Sequence, residues 1–153
     1  MPPPHRPDVR IACDGACRGN PGPGGWAAIV RSDGKERVLK GAEPLTTNNR
    51  MELQAALAAL QALPQPARVL VETDSRYLVD GMTKWLGQWQ RNGWKTADRR
   101  PVANADLWTA LAQAAAPHDV RWVWVRGHAG HPANERADRL ANAAIDELLA
   151  EGS

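Results

Sequence analysis

The chain of 153 residues has little cysteine and no long apolar segment. Its two cysteines, Cys13 and Cys17, cannot build a disulfide framework, and we expect them to stay as thiols in a reducing compartment. The longest uninterrupted apolar run is Ala55–Leu60, far short of the ~20 residues that a transmembrane helix needs. The sequence therefore predicts neither a disulfide-stabilised secreted domain nor a membrane partner, and we expect a cytoplasmic protein.

An excess of charge of one sign is also missing. Nineteen lysines and arginines oppose seventeen aspartates and glutamates, a formal net charge of +2, which excludes a wholly basic or acidic solvating chain. Residues 1–7 are proline-rich with no apolar stretch behind them, so we interpret them as a disordered tail rather than a secretory signal. The length predicts one domain, over residues 8–150, and we expect a monomer because no heptad or apolar stripe is left over.

The apolar pattern predicts a mixed sheet with helices, in the order β-β-β-α-β-α-α-β-α. We expect Pro21 and Pro23 to exclude a regular strand from the turn-rich segment that follows the first strand. Short turns between the first three strands predict antiparallel pairing, whereas the helix before the fourth predicts a parallel crossover. The last strand is apolar on both faces, which predicts a position covered on both sides. The predicted strands are Val9–Cys13, Trp26–Arg31, Glu36–Lys40, Arg68–Thr73 and Val120–Arg126.

Helical spacing of apolar residues predicts the remaining elements. The first helix buries the face of Leu53, Ala56, Leu57, Leu60 and Leu63 and ends before Pro64. A second helical stretch begins at about Arg76, and a third covers Asp106–Ala115. Pro132 begins the last helix, whose buried stripe is predicted to be Ala137, Leu140, Ala141, Ala144 and Leu148.

Four carboxylates occupy positions that can converge. Asp14 and Asp74 each end a predicted strand, and ligands of such sheets bind beyond the carboxyl ends of parallel strands. Glu52 lies in the first turn of the first helix, and Asp138 lies beside the buried stripe of the last. Taken singly, the aspartates could be turn formers or solvated residues, and Glu52 could make a capping contact with Asn49 as N-cap.

Taken together, the four acids indicate a metal site. Clustered carboxylates repel one another unless a cation lies among them. An all-oxygen ligand set suits a hard ion such as Mg²⁺ or Mn²⁺ better than zinc.

Five segments around these acids resemble type 1 ribonuclease H, in the bacterial form with a basic protrusion. They occur in the family's order within Val9–Leu149, and they are Asp14–Trp26 (DGACRGNPGPGGW), Thr46–Leu53 (TTNNRMEL), Thr73–Ser75 (TDS), Gly93–Thr96 (GWKT) and Gly127–Asp138 (GHAGHPANERAD). The resemblance implies a ribonuclease H-like α/β fold, with three antiparallel strands plus two parallel strands and helices on both faces.

The resemblance also implies an activity: hydrolysis of the RNA strand of RNA/DNA hybrids by two Mg²⁺ ions, leaving 5′-phosphate and 3′-hydroxyl ends. Mn²⁺ could substitute, and no small-molecule cofactor is implied. The family's metal-binding carboxylates fall on Asp14, Glu52, Asp74 and Asp138, and its catalytic histidine falls on His128. In the two-metal scheme one ion activates water and the other stabilises the leaving oxygen, while His128 would move a proton or help the product leave.

Hybrid contacts are implied on both strands. The 2′-hydroxyl distinguishes RNA from DNA, and the family positions near it are Cys17, Asn20, Asn48 and Asn49, with Glu52 also able to accept. One DNA phosphate is held by groups matching Thr47 and Asn104. The sequence departs from the family at three nearby positions: Leu45 and Asn142 replace arginines, and Arg76 stands where a glutamine commonly contacts the hybrid.

Residues 82–101, here named the basic segment, carry five cationic side chains against Asp98, a local net charge of +4. The rest of the chain therefore sums to −2, so positive charge is concentrated where it can meet phosphate. Trp85, Trp89 and Trp94 interleave with it, and we expect at least one of Trp85 and Trp89 to serve in packing. The expected substrate contacts here are Trp85, Trp89, Arg91, Lys95, Arg99 and Arg100.

Three other interpretations were open. A DNA nuclease of the resolvase or integrase type would keep the fold and change the substrate. A catalytically dead hybrid-binding module is disfavoured because all four acids and His128 are present. A zinc site from Cys13, Cys17, His128 and His131 is disfavoured because Cys13 and Asp14 should point to opposite faces of one strand.

Overall fold

The computed structural model describes residues 6–126 and 130–152, with a five-stranded sheet in the order β3-β2-β1-β4-β5 at its centre. β1 pairs antiparallel with β2, and β2 antiparallel with β3. β1 pairs parallel with β4, and β4 parallel with β5. This confirms the predicted mixed sheet. The strands are β1 Val9–Cys17, β2 Gly22–Ser32, β3 Lys35–Thr46, β4 Arg68–Thr73 and β5 Asp119–Trp124.

Helices cover both faces of the sheet, as predicted. One face carries the main core, in which β1 side chains such as Ile11 and Cys13 pack with Leu53 and Trp108. The other face is covered by the last helix, α5, through buried residues such as Ala141 and Ile145. The helices are α1 Asn48–Gln61, α2 Arg76–Asp80, α3 Leu86–Arg91, α4 Ala105–Ala115 and α5 Pro132–Glu151, and a π-helical turn, Gly81–Trp85, joins α2 to α3.

Two strands extend further into the glycine-rich segment than predicted. β1 continues to Cys17 and β2 begins at Gly22, so the expectation that prolines exclude a strand here is wrong at Pro23. The reason is a register shift in the β2–β3 ladder between Gly22 and Gly24. Proline cannot donate to a ladder, and the irregularity leaves no bond for its missing N–H to make. The Pro23 carbonyl still accepts from Arg18 N at 2.8 Å.

The last strand is less buried than predicted. β5 lies at the edge of the sheet, and its residues alternate between exposed and half-buried. The expectation of a strand covered on both sides is therefore wrong, because the strand order leaves β5 with a single neighbour. Across residues 6–126 and 130–152, no helix combines the length and apolar character that crossing a bilayer requires.

The sheet forks beside β1. The parallel β1–β4 ladder ends where Ala12 pairs with Glu72. The antiparallel β1–β2 ladder continues to the pair of Cys17 and Gly24. The two parallel strands therefore part just before Asp14 and Asp74, and a crevice opens between them.

Candidate active site

Three of the four predicted carboxylates meet in this crevice. Asp14 is supplied by β1, Asp74 follows β4, and Glu52 comes from α1. One carboxylate oxygen from each lies within 4.8 Å of the other two. Asp14 is 3% exposed and Glu52 is 4% exposed, so two of the acids are almost fully withdrawn from water.

Gly15 explains how Glu52 reaches Asp14. A Cβ placed on Gly15 would stand 2.5 Å from Glu52 N and 2.8 Å from Met51 Cβ. The missing side chain lets the start of α1 lie directly on β1. Gly15 N also donates to Asp14 Oδ1 at 3.0 Å, which orients that carboxylate.

Burial and mutual repulsion change the acidity of the cluster. Burial, followed by the charge of Asp74, raises the pKa of Asp14 to about 8. Burial, followed by the charge of Asp14, raises the pKa of Glu52 well above its usual range. Both shifts oppose ionisation because a buried carboxylate loses hydration and meets like charges. A cation among them would remove that penalty.

Asp138 lines the same cavity, which has a volume of about 320 Å³. It projects from α5 and is half-buried. Asn142, one turn later, donates from Nδ2 to the Asp138 carbonyl at 3.0 Å and to Asp138 Oδ1 at 3.4 Å. The cavity lining comprises Asp14, Gly15, Asn48, Asn49, Glu52, Asp74, Ser75, Arg76, Tyr77 and Asp138.

The donor set fits a hard divalent cation. Every metal-ligating group in the cluster is a carboxylate, and oxygen-only sites suit Mg²⁺ or Mn²⁺. Within the described residues, the buried Glu52 Oε2 has no hydrogen-bond partner. A buried acceptor without a partner is costly, and a bound cation would satisfy it.

The capping role considered for Glu52 is wrong. The N-cap of α1 is Thr47, whose hydroxyl accepts from Arg50 N at 3.2 Å. Asn49 lies inside the helix and lines the cavity instead. The capping function falls to Thr47 because it keeps an extended backbone, with a φ of −128°, immediately before the helix.

Of the residues predicted to contact the RNA strand, Asn48 and Asn49 line the carboxylate cavity. Asn20 lies next to it, since its Oδ1 accepts from Asn48 N at 3.1 Å. The Cys17 thiol instead donates to the backbone carbonyls of Gly19 at 2.8 Å and Thr46 at 3.4 Å. That thiol is thus already engaged in holding the loop between β1 and β2.

The two residues predicted to hold a DNA phosphate lie at the starts of two helices. Thr47 caps α1, and Asn104 precedes α4 in a left-handed conformation with φ of 61°. Arg50 Nη1 donates to Asn104 Oδ1 at 3.2 Å, and Asn104 Nδ2 donates to Tyr77 Oη at 3.0 Å. Both ends of the Asn104 side chain are therefore fixed by protein groups.

Sequence reasoning assigned no role to Arg50, Asp106 or Tyr77. Arg50 forms a bidentate pair with Asp106, at 3.0 and 2.7 Å, and this hydrogen bonding lowers the pKa of Asp106. Tyr77 Oη also accepts from Trp108 Nε1 at 3.2 Å. Only the position of Arg50 inside the motif Thr46–Leu53 hinted at such a role.

The basic segment combines aromatic packing with exposed cations. Trp89 is half-buried against the core, which confirms a packing role for one of its tryptophans. Trp85 is 37% exposed and contacts Trp89 with ring centres 5.7 Å apart. The four cations proposed to meet phosphate are exposed and, within the described residues, form no ion pair: Arg91, Lys95, Arg99 and Arg100.

His128 lies outside the described residues, so the prediction for it stays a prediction. The zinc alternative shared this residue. Cys13 is fully buried in the core, on the face of β1 opposite Asp14. Among residues 6–126 and 130–152, the one cluster able to hold a metal is that of Asp14, Glu52 and Asp74.

Comparisons with known proteins agree with this geometry. The family model described as RNase H matches residues 6–146. A ribonuclease H of Halorhodospira halophila is 62% identical over 142 residues, covering 93% of this chain and 95% of that protein. A ribonuclease H of Nitrosococcus oceani is 61% identical over 137 residues, covering 90% of this chain and 93% of its own.

Solved structures extend the likeness. LC9-RNase H1, described as a type 1 RNase H with the type 2 active-site motif, superposes with a TM-score of 0.81 at 40% identity, over 92% of this chain and 73% of that one. LC11-RNase H1 in complex with RNA/DNA hybrid superposes with a TM-score of 0.69 at 25% identity, over 92% of this chain and 99% of that one. The DNA nuclease alternative is not favoured by these relatives, and the chain belongs to the ribonuclease H family, in its type 1 form.

Proposed function

We propose that this ribonuclease H hydrolyses the RNA strand of RNA/DNA hybrids with two divalent cations, and that the products carry 5′-phosphate and 3′-hydroxyl ends. The observation that carries the proposal is the buried trio of Asp14, Glu52 and Asp74, with ligand oxygens within 4.8 Å of one another. Mg²⁺ is the proposed ion and Mn²⁺ a substitute, since the donors are all oxygen. The relative LC11-RNase H1 bound to an RNA/DNA hybrid supports the substrate class.

The carboxylates would hold the ions, with Asp138 as the fourth ligand. When bound, two such ions supply a nucleophilic water and stabilise the leaving 3′ oxygen. Burial of Asp14 and Glu52 keeps bulk water away from the reacting phosphate. His128 would accept or donate a proton near neutral pH, or assist departure of the product.

Discrimination of RNA from DNA would rest on polar groups beside the carboxylates. Asn48 and Asn49 line the cavity, where their amides can donate to and accept from a 2′-hydroxyl. Asn20 would act with them, and Cys17 would hold the adjoining loop in shape. Glu52 could accept from the same hydroxyl.

The DNA strand would be held further from the carboxylates. Thr47 and Asn104 are proposed to bind one of its phosphates. Farther along the duplex, Arg91, Lys95, Arg99 and Arg100 of the basic segment would attract phosphates by charge, while Trp85 would cover part of the backbone. We further propose a monomeric, cytoplasmic enzyme without a small-molecule cofactor or a membrane partner.

The test is cleavage of matched RNA/DNA, RNA/RNA and DNA/DNA duplexes of one sequence, with Mg²⁺ or with EDTA. The proposal expects Mg²⁺-dependent cutting of the RNA in the hybrid alone, with 5′-phosphate ends identified by their sensitivity to phosphatase. Cleavage of the DNA duplex, or of the hybrid in EDTA, would contradict it.

A further inference from the structure

Arg76 and Trp124 form a stacked pair at the rim of the carboxylate cavity. The guanidinium carbon of Arg76 lies 4.6 Å from the centre of the Trp124 ring. Trp124 is 37% exposed although it is a large apolar side chain. Its Nε1 donates to the carbonyl of Asp74 at 3.1 Å. The indole is therefore fixed to the backbone of a carboxylate residue, and the guanidinium is held on the indole.

The Arg76 charge is not spent on the carboxylates. Arg76 lines the same cavity as Asp14, Glu52 and Asp74, yet it forms no ion pair with them or with any other described residue. A guanidinium bridging these acids would occupy the oxygens that a cation needs. Stacking on an aromatic ring stabilises a cation by about 0.5–1 kcal/mol at an exposed site, so Trp124 gives Arg76 an alternative position at the rim.

A stacked guanidinium keeps its N–H edge available. Its five donors lie in one plane, and they match a phosphate in a bidentate pair. Arg76 is exposed, so this edge can meet a ligand that enters the cavity. The phosphate next to the carboxylates must belong to the strand that is cut.

We infer that Arg76 binds a backbone phosphate of the RNA strand beside the cleaved bond, and that Trp124 is the residue that positions it. The inference rests on the proposed function. It assigns a charged phosphate contact to the position where a neutral glutamine is common in the family, and it gives a role to an exposed tryptophan on an edge strand.

The first experiment compares Arg76→Gln with Arg37→Gln in cleavage of one hybrid across a salt series. Arg37 is an equally exposed arginine at the start of β3, near the β2–β3 turn, and it serves as the matched control. A charge-assisted hydrogen bond predicts that Arg76→Gln raises KM by about 5- to 20-fold at low salt. Because chemistry stays with the carboxylates, kcat should remain within about two-fold. The log–log salt slope should become flatter by somewhat less than about 0.9.

The second experiment tests the positioning role of Trp124. Trp124→Leu removes the stack and should raise KM nearly as much as Arg76→Gln does. In the Arg76→Gln background it should add little, because the two changes then remove the same contact. Trp124→Phe keeps a ring but loses the N–H bond to Asp74, so we expect an intermediate KM, and Arg76→Lys should also be intermediate. Unchanged circular dichroism and thermal midpoint establish that each variant is folded.

The outcomes separate the two proposals. A wild-type enzyme that cuts no hybrid overturns the proposed function, and this inference with it. A wild-type enzyme that cuts hybrid, with Arg76→Gln and Arg37→Gln indistinguishable in KM and salt slope, overturns the inference alone. A change in the base preference of cleavage at an unchanged salt slope also overturns it, because Arg76 would then contact base edges rather than phosphate. Additive effects of Arg76→Gln and Trp124→Leu overturn the positioning role.

Discussion

The backbone of Gly15 lies against the backbone of Glu52 so closely that a Cβ on Gly15 would stand 2.5 Å from Glu52 N. Gly15→Ala should therefore push α1 away from β1 and carry Glu52 away from Asp14. We expect a loss of hybrid cleavage of at least tenfold, together with a destabilisation of roughly 1–3 kcal/mol from overpacking. Mg²⁺-dependent kinetics and urea unfolding measure the two effects.

Gly87→Ala is the matched control for that change. Gly87 lies in α3, where the nearest atom to an added Cβ is Arg91 Nη1, the end of a flexible side chain, at 3.4 Å. Alanine there should leave cleavage intact and stabilise the helix by about 0.5–1 kcal/mol. Equal activity of Gly15→Ala and Gly87→Ala would mean that the approach of α1 does not set the site.

Asp14→Asn and Asp74→Asn should each reduce Mg²⁺-dependent cleavage to below about a thousandth of the wild-type rate, because an amide supplies no charge to a metal. Both variants should fold, since asparagine has nearly the same shape. Single-turnover cleavage of a labelled hybrid measures the loss. Substantial activity of either purified variant would exclude the proposed ligand set.

The metal-free protein should become less stable as the pH rises. The pKa of Asp14 is raised from 3.8 to about 8 in the fold, and that of Glu52 is also raised. Between these values the folded chain binds more protons than the unfolded chain, so each increase in pH favours unfolding. Urea unfolding in EDTA should give a lower free energy of unfolding at pH 8 than at pH 5.

Asp14→Asn supplies the control for the pH effect. This variant should lose part of the pH dependence and be more stable than wild type at pH 8, by roughly 1–3 kcal/mol. Mg²⁺ should stabilise the wild type more than the variant. Identical pH profiles for the two proteins would show that the buried cluster does not carry the effect.

His128→Ala should lower turnover without removing metal binding, if this residue moves protons or releases product. We expect a reduced kcat and an unchanged increase of the thermal midpoint on addition of Mg²⁺. The comparison is with Asp14→Asn, which should lose that increase. A loss as large in His128→Ala would identify the histidine as a metal ligand.

Neutralising Arg91, Lys95, Arg99 and Arg100 together should weaken hybrid binding far more than it slows the chemical step. These exposed cations act through counterion release, so each lost contact should flatten the log–log salt slope by about 0.9, and somewhat less on a hybrid. KM should rise at low salt while kcat stays within a few-fold. Parallel slopes for the quadruple variant and wild type would disprove an electrostatic role.

The sequence could predict the site because its positions depend on local rules. Asp14 and Asp74 follow apolar strands joined by a helical crossover, and Glu52 falls in a motif of the family. The burial of β5 was predicted wrongly because the alternation of Val and Trp specifies apolar faces but not the place of a strand in a sheet. The stack of Arg76 on Trp124, and the bonds of Tyr77, depend on side chains brought together only by the complete fold.

The fork beside β1 has a thermodynamic consequence for ion binding. The distance between Asp14 and Asp74 is set by two ladders of backbone hydrogen bonds, one ending at Ala12 and one continuing to Cys17. Ordering of the ligands is therefore accomplished during folding, and an arriving ion need not pay for it again. Affinity at such a rigid crevice is set mainly by the free energy that folding has already invested in holding like charges together.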